Sequence, residues 1–185
     1  MNVLDTTFPD VKILTFETFG DERGLFAETW SENYRDQLPL SPNWVQDSFS
    51  ISRHKGTIRG LHVQTPPGEQ IKLVRPIRGS IFDVVVDIRH GSPTFGQHFS
   101  VTLTAGDNRQ LLIPPHYAHG FCTLEDDTEI FYKLSGLYHP ETYIGIRWDD
   151  PALKIDWPVS TQDAVLSDKD QILPMLADLP SVFTD

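Results

Sequence analysis

The chain has few cysteines and few basic residues. Of its 185 residues only Cys122 is a cysteine. An internal disulfide therefore cannot form, and the composition suits a reducing compartment such as the cytoplasm. Lys and Arg number 15 against 26 Asp and Glu, which gives a formal net charge of -11. A surface of that sign repels nucleic acid, so we expect none as a partner. A small anionic substrate is compatible with this negative net charge only if the site concentrates basic groups locally.

Long apolar runs and several well-known enzyme motifs are also missing. No stretch approaches the ~18 apolar residues of a membrane-spanning helix, and the first residues, MNVLDTTFPDVKIL, do not have the pattern of a signal peptide. We therefore expect a soluble chain with no membrane partner. The sequence contains no GxGxxG after a strand, no GxxxxGK[ST], no GxSxG and no HExxH. These absences argue against a Rossmann dinucleotide enzyme, a P-loop NTPase, an α/β-hydrolase and a zincin.

Strand signals dominate between residues 11 and 147. Alternating or β-branched stretches recur about every ten residues between Gly, Pro, Asn and Asp turns; they cover 11–16, 24–29, 45–52, 71–76, 80–88, 97–104, 110–113 and 129–134. The stretch 80–88 is almost wholly apolar, which predicts a strand buried on both faces. Short helices are expected only at the periphery, at 31–38 and 167–176, with Ser31 and Ser167 as caps. The pattern predicts a mostly-β antiparallel sandwich or barrel in one domain over 1–185.

Polar residues are concentrated inside this predicted sheet. They lie in or beside successive strands and are Arg59, His62, Gln64, Gln70, Lys72, His119, Tyr132, Lys133 and Tyr138. Strict alternation would point Arg59 and His62 to opposite faces. Side chains brought inward from several strands can converge at the mouth of a barrel, where ligand sites form. Each residue alone can also be explained by a structural role without function, because a single His or Lys side chain more often packs in the core or reaches solvent.

A metal site is one alternative for these residues. His62, Gln64, Glu69 and His119 are spaced like the ligands of metal-binding cupins. However, Gln64 is a poor ligand for a transition metal, and Lys72 close by would oppose a cation. We therefore expect no metal and no cofactor, with a metal-dependent cupin as the alternative.

Taken together, eight segments closely resemble the dTDP-4-dehydrorhamnose 3,5-epimerase family. In order they are GDERGLFAETW (20–30), VQDSFSIS (45–52), GTIRGLHVQTPPGEQIKLVRPIRGSIFDVVVDIRHGSPTFGQ (56–97), RQLLIPPHYAHGF (109–121), IFYKL (130–134), WDDP (148–151), IDWP (155–158) and LSDKD (166–170). The resemblance implies a metal-free cupin-type jelly roll with a C-terminal helical segment at 160–185. It also implies a cytoplasmic homodimer that exchanges N-terminal strands. The implied reaction inverts carbons 3 and 5 of dTDP-4-dehydro-6-deoxy-D-glucose, on the way to dTDP-L-rhamnose.

The resemblance also gives individual residues a role. His62 is similar to the catalytic base, and Asp170 to its carboxylate partner. Lys72 resembles the residue that faces the keto oxygen, and Tyr132 resembles the acid on the opposite face. The remaining matches are to substrate-binding positions: Gln46, Arg59 and His119 near the sugar and phosphates, Tyr138 on the nucleotide side, and Arg23, Phe26 and Glu28 on an arm that enters the partner's nucleotide pocket.

Elementary chemistry agrees with these roles. Hydrogens beside a ketone are acidic because the carbanion delocalises onto oxygen, and an ammonium such as that of Lys72 stabilises this oxygen. A neutral histidine can take the proton near pH 7, and a carboxylate on its other nitrogen fixes the tautomer. Inversion then needs a second donor across the ring, which Tyr132 supplies.

The sequence departs from the family pattern at a few places. Tyr143 stands where the family commonly has a glutamate, VQDS replaces the more usual QDN, and SRHKG (52–56) resembles an insertion. The proton-transfer residues are unaffected. Two alternatives stay open besides the metal-dependent cupin. One is a 3-epimerase or 5-epimerase of a related nucleotide-linked 4-keto sugar, and the other is a sugar-binding cupin module without catalysis.

Overall fold

The computed structural model describes residues 1–181 and 183. Over these residues it has thirteen strands: β1 (Asn2–Asp5), β2 (Lys12–Thr15), β3 (Thr18–Asp21), β4 (Gly24–Ala27), β5 (Gln46–Ser52), β6 (Ile58–Gln64), β7 (Lys72–Arg78), β8 (Ser80–Asp87), β9 (His98–Thr104), β10 (Arg109–Ile113), β11 (Tyr117–Thr123), β12 (Thr128–Leu134) and β13 (Tyr143–Gly145). One α-helix, α1 (Asp168–Gln171), and three 3₁₀ turns, Glu32–Gln37, Pro140–Thr142 and Leu176–Asp178, accompany them. No helix in the described part of the chain has the length and apolar character needed to cross a membrane.

The strands form two large sheets and one hairpin. A six-stranded sheet has the order β1-β2-β10-β7-β12-β5, and a five-stranded sheet has the order β13-β6-β11-β8-β9. Neighbouring strands pair antiparallel throughout both sheets. Within the part of the chain that the structure describes, β3 and β4 pair only with each other. The mostly-β antiparallel class with short peripheral helices, expected from the sequence, is confirmed.

The main apolar core lies between the two large sheets. It joins buried residues of β7, β10 and β12 to residues of β8, β9 and β11; they include Val74, Leu111, Ile130, Ile81, Val85, Leu103 and Phe121. A second cluster covers the other face of the five-stranded sheet with Leu153, Leu176 and Phe183 from the C-terminal part of the chain. This explains why β8 is buried on both faces, as its sequence predicts. Removing this apolar surface from water is the main stabilising contribution, at roughly 25 cal/mol per Å².

Several elements differ from the sequence-based expectation. Strands β1, β3, β11 and β13 were not predicted. β7 continues through Pro76, because a register shift in its pairing with β12 falls beside that residue, and proline is tolerated at such irregularities. The helix expected over 167–176 is confined to Asp168–Gln171, although Ser167 caps it as expected; Pro174 cannot continue a helix. Within 160–185, the positions 182, 184 and 185 lie outside the described residues.

A bulge in β6 changes which side chains face inward. His119 of β11 pairs with His62, but Phe121 pairs with Arg59, so β6 has one extra residue between these pairs. The extra residue lies at Gly60, whose φ is +129°; a Cβ atom there would sit 2.5 Å from the Cα of Gly120. Only glycine allows the two strands to approach this closely. As a result Arg59 and His62 face the same side, and the strict alternation assumed from the sequence is wrong here.

Candidate active site

One cavity of about 440 Å³ opens between the two large sheets. Its walls come from β5, β7 and β12 on one side, from β6 and β11 on the other, and from the segment around α1. The lining residues are Gln46, Ser48, Ser50, Arg59, His62, Gln70, Lys72, His119, Phe121, Tyr132, Leu134, Tyr138, Tyr143, Ser167, Lys169 and Asp170. A volume of this size is ordinary for a small-molecule site.

Most of the residues predicted from the sequence meet in this cavity. Eight of the eleven line it: His62, Lys72, Tyr132, Asp170, Gln46, Arg59, His119 and Tyr138. The other three, Arg23, Phe26 and Glu28, lie on or beside the β3–β4 hairpin and do not line it. Sequence reasoning missed lining residues such as Ser48, Ser50, Ser167 and Lys169. Ser48 and Ser50 alternate with Gln46 along β5, and this period of two could have identified them.

His62 and Asp170 form a close pair at one wall. Asp170 Oδ1 lies 2.5 Å from His62 Nε2, although 108 residues separate them in the chain. The helix α1, capped by the Ser167 side chain, presents this carboxylate, which is almost fully buried. Burial is the largest influence on His62 and lowers its pKa below the usual 6.5, while Asp170 opposes that shift. His62 is therefore neutral near pH 7, with the second ring nitrogen, Nδ1, available to act as a base.

Lys72 lines the same cavity. Its Nζ donates to the backbone carbonyl oxygen of His62 at 3.2 Å, so the ammonium reaches from β7 towards the opposite sheet. Burial lowers the pKa of Lys72 to about 8, and the carboxylate of Asp83 opposes this shift. The side chain therefore still carries a proton at pH 7. A desolvated ammonium aimed into a cavity is suited to stabilising a developing negative oxygen.

Tyr132 stands on the other sheet from His62. It occupies the middle of β12, and its hydroxyl lies 3.3 Å from Ser50 Oγ. Burial raises the pKa of Tyr132 to about 12, so the phenol is neutral and can donate a proton or a hydrogen bond. Because β6 and β12 belong to facing sheets, the imidazole and the phenol occupy opposite walls of one cavity.

A second histidine–carboxylate pair supports this cavity. His119 lies directly across from His62 in the β6–β11 pairing, and its Nε2 is 2.7 Å from Asp83 Oδ1. Both side chains are buried, and Asp83 Oδ2 has no hydrogen-bond partner among the described residues. This carboxylate therefore supplies negative charge to both His119 and Lys72.

The cavity mouth contains groups suited to an anionic ligand. Arg59 is held by hydrogen bonds from Nε to Ser52 Oγ at 3.1 Å and from the guanidinium to the Ile51 carbonyl oxygen at 3.2 Å. Gln46 bonds Ser48 Oγ at 2.9 Å and accepts from the backbone N–H of Tyr138 at 3.3 Å. Arg59, Lys72 and Lys169 thus place three cations around one cavity in a chain of net charge -11.

The alternative metal ligand set does not converge. Glu69 Oε1 lies 2.5 Å from His116 Nε2. Gln64 donates to the carbonyl oxygens of Gly68 and Leu137 and accepts from the backbone N–H of His139. Among the described residues, no group of three or more His, Cys, Asp or Glu side chains is placed to hold an ion.

Comparisons with known proteins point in one direction. A family model described as dTDP-4-dehydrorhamnose 3,5-epimerase matches residues 5–178. The chain is 47% identical over 171 residues to the enzyme of that name from Shigella flexneri, covering 92% of this chain and 93% of that one.

Solved structures agree with the family match. The chain resembles the dTDP-6-deoxy-D-glucose-3,5-epimerase of Legionella pneumophila in complex with dTDP-4-keto-L-rhamnose, with a TM-score of 0.92, 41% identity and coverage of 97% and 95% of the two chains. It also resembles the dTDP-4-dehydrorhamnose 3,5-epimerase of Bacillus anthracis with TDP and PPi bound, with a TM-score of 0.90, 44% identity and coverage of 94% and 98%.

Proposed function

The chain belongs to the dTDP-4-dehydrorhamnose 3,5-epimerase family, and from this premise we propose how its central cavity performs the reaction. The enzyme is an isomerase. It inverts carbons 3 and 5 of dTDP-4-dehydro-6-deoxy-D-glucose to give dTDP-4-dehydro-L-rhamnose through an enolate. The observation that carries the mechanism is the placement of one weak base and one phenol on facing sheets, with an ammonium lining the same cavity.

His62 begins each inversion. The neutral imidazole accepts the proton from carbon 3 or carbon 5, and the electron pair of the broken C–H bond moves onto the 4-keto oxygen. Asp170, on the other ring nitrogen, fixes the tautomer and stabilises the imidazolium that forms. The Lys72 ammonium stabilises the enolate oxygen, which is expected to contribute several kcal/mol to the barrier reduction.

Tyr132 completes the inversion from the other side. Its hydroxyl donates a proton to the carbon from the face opposite His62, the enolate electron pair forms the new C–H bond, and the ketone is restored. The resulting phenolate regains a proton, and the imidazolium loses one to solvent, before the next carbon reacts. A positioned acid or base of this kind typically contributes 10²–10⁴-fold in rate.

The remaining cations and aromatic groups hold the nucleotide. Arg59, His119 and Gln46 are assigned to the sugar and diphosphate, and Tyr138, exposed at the mouth, to the nucleotide side. Substrate specificity then arises from a cavity that offers positive charge to the diphosphate and one enolate-stabilising ammonium to the ketone.

Two features support a homodimer with exchanged N-terminal arms. The β3–β4 hairpin exposes Phe19, Leu25 and Phe26, the last at 69% of its surface, and among the described residues its strands pair with neither large sheet. On the six-stranded sheet, Phe49 of β5, which lies opposite Phe131 of β12, is exposed as well. Exposed apolar groups of this kind mark interfaces. The arm residues Arg23, Phe26 and Glu28 would then line the nucleotide pocket of the partner's cavity.

We also expect the enzyme to act in the cytoplasm.

The reaction is tested by incubating the protein with dTDP-4-dehydro-6-deoxy-D-glucose in heavy water and following each ring hydrogen by proton NMR. We expect loss of both the carbon-3 and carbon-5 signals, accumulation of the L-rhamno product and no effect of a chelator. Exchange at carbon 3 alone would instead identify a 3-epimerase. Absence of any exchange would contradict catalysis.

The exchanged arm is tested by complementation. The variants His62→Ala and Arg23→Ala/Phe26→Ala are each expected to be weak alone, the second through a raised KM. Co-expressed, they form mixed dimers in which one cavity has both an intact base and an intact arm, so about a quarter of the unmodified activity should return. Light scattering checks the mass. A fully active monomer, or no recovery in mixed dimers, would refute the exchange.

A further inference from the structure

Tyr143 lies against the proposed base and has no role in the reaction described above. It begins β13, and its ring centroid is 4.9 Å from that of the His62 imidazole with an interplanar angle of 44°. Tyr138 meets the Tyr143 ring edge-on, with centroids 5.8 Å apart. The Tyr143 ring is therefore held between two aromatic neighbours, tilted against His62 and edge-on to Tyr138, the second being an arrangement that aromatic pairs prefer.

The backbone pairing explains why this ring reaches the imidazole. Gly145 of β13 lies directly opposite His62 of β6. A Cβ atom at Gly145 would be 2.7 Å from the Leu61 carbonyl oxygen and 2.9 Å from a methyl group of Leu173, so only glycine fits. With no side chain at the opposite position, the diagonal neighbour Tyr143 can lie over the imidazole ring. Asp170 holds the edge of the imidazole, and the Tyr143 ring packs against the imidazole at a tilt.

The electrostatics of this contact favour the protonated base. Burial, Lys72 and His119 all lower the pKa of His62, so a proton taken from substrate arrives at a site that disfavours it. The face of an aromatic ring carries partial negative charge and stabilises a nearby cation. Burial, followed by the charge of Asp170, raises the pKa of Tyr143 far above its ordinary value. The phenol therefore stays neutral, and it acts on His62 through its ring.

We propose that Tyr143 is a positioning residue for the base. Its ring fixes the plane of the His62 imidazole, so that Nδ1 is aimed into the cavity, and it stabilises the imidazolium that proton abstraction forms. This inference rests on the proposed function, in which His62 is the base.

Two substitutions distinguish the contribution of the Tyr143 ring from that of its hydroxyl. Tyr143→Phe retains the ring, so the acid limb of the kcat/KM profile should stay where it is. Tyr143→Leu removes the aromatic face and with it the support for the protonated imidazole, so the pKa of His62 falls further. The acid limb should then move to lower pH by about half to one unit, and kcat should fall about tenfold because the base is weaker and less well oriented. Ile144→Ala is the matched control, since Ile144 is the next residue of β13 and packs on the far side of the five-stranded sheet.

The deciding readout is an NMR titration of the His62 ring proton in the substrate-free protein. The midpoint should be the same in the unmodified protein, Tyr143→Phe and Ile144→Ala, and lower in Tyr143→Leu. The position of a midpoint does not depend on how much protein folds. An unchanged midpoint in Tyr143→Leu, or an equal fall in Tyr143→Phe, would overturn the proposal. A shifted midpoint in a protein that exchanges no substrate hydrogens would contradict the proposed function and leave the ring contact standing.

Discussion

Two histidine–carboxylate pairs face each other across β6 and β11, and they differ in how much of each reaches the cavity. In the His62–Asp170 pair the imidazole is 19% exposed, and its carboxylate comes from α1, far along the chain. In the His119–Asp83 pair both side chains come from adjacent strands and are 5% and 0% exposed. In the proposed mechanism the first pair exchanges a proton with the substrate. The second pair is buried within the sheet, where the Asp83 carboxylate also raises the pKa of Lys72. We infer that the same two chemical groups supply the base in one place and, in the other, a buried pair whose carboxylate supports Lys72.

The largest difference between the pairs should appear when each histidine is removed. His62→Ala takes away the base and should lower deuterium exchange at both carbons by about 10⁴-fold. His119→Asn keeps a hydrogen-bonding group beside Asp83 and should cost about tenfold, mainly in KM. The measurement is exchange in heavy water by NMR. Near-normal exchange in His62→Ala would show that the two roles are wrongly assigned.

Replacing the carboxylate of the first pair tests the same comparison between the two pairs. Asp170→Asn preserves shape but removes the charge that holds the His62 tautomer and stabilises its protonated form. We expect kcat to fall about 10²–10³-fold, within the range of a positioned acid–base group, with KM little changed. Steady-state kinetics give both values. A loss confined to KM would mean that Asp170 binds substrate and does not support the base.

Tyr132 tests whether proton removal and proton return come from different walls. Tyr132→Phe leaves the His62–Asp170 pair intact, so deuterium exchange should stay within about tenfold, while net inversion falls about 10²-fold. Both can be read from one NMR time course. Equal losses of exchange and inversion would place the tyrosine in the deprotonation step.

Features that depend on residues close together in the sequence could be predicted, whereas features that depend on contacts between distant residues could not. The strand at 80–88 and the cap at Ser167 could be predicted because they depend on neighbouring residues. The β6 bulge could not, since it results from the approach of Gly60 to Gly120 on another strand. β11 was missed for a similar reason: Tyr117, Ala118 and His119 have no strong strand pattern, and pairing with β6 and β8 holds them in place. Asp83 was not identified as a site residue, because it lies within the almost wholly apolar stretch 80–88.

Asp83 provides the smallest expected effect, through pH dependence. In the proposed mechanism Lys72 must be protonated to stabilise the enolate, so we expect activity to fall as pH rises through its pKa of about 8. Asp83 raises that pKa, and Asp83→Asn should therefore move the basic limb of the kcat profile to lower pH, by about half to one unit. The acid limb, set by His62, should stay in place. An unmoved basic limb would show that the buried pair does not act on Lys72.

The central claim is that the sugar ring lies between an imidazole and a phenol, with an ammonium on the ketone oxygen. A crystal structure with the nucleotide-linked product bound tests this most directly. We expect His62 Nδ1 about 3–3.5 Å from carbon 3 or carbon 5, as a reactive geometry requires. The Tyr132 hydroxyl should face the same carbon from the other side, and Lys72 Nζ should be within hydrogen-bonding distance of the 4-keto oxygen. A sugar bound with both His62 and Tyr132 on one face, or with the ketone turned away from Lys72, would contradict the mechanism.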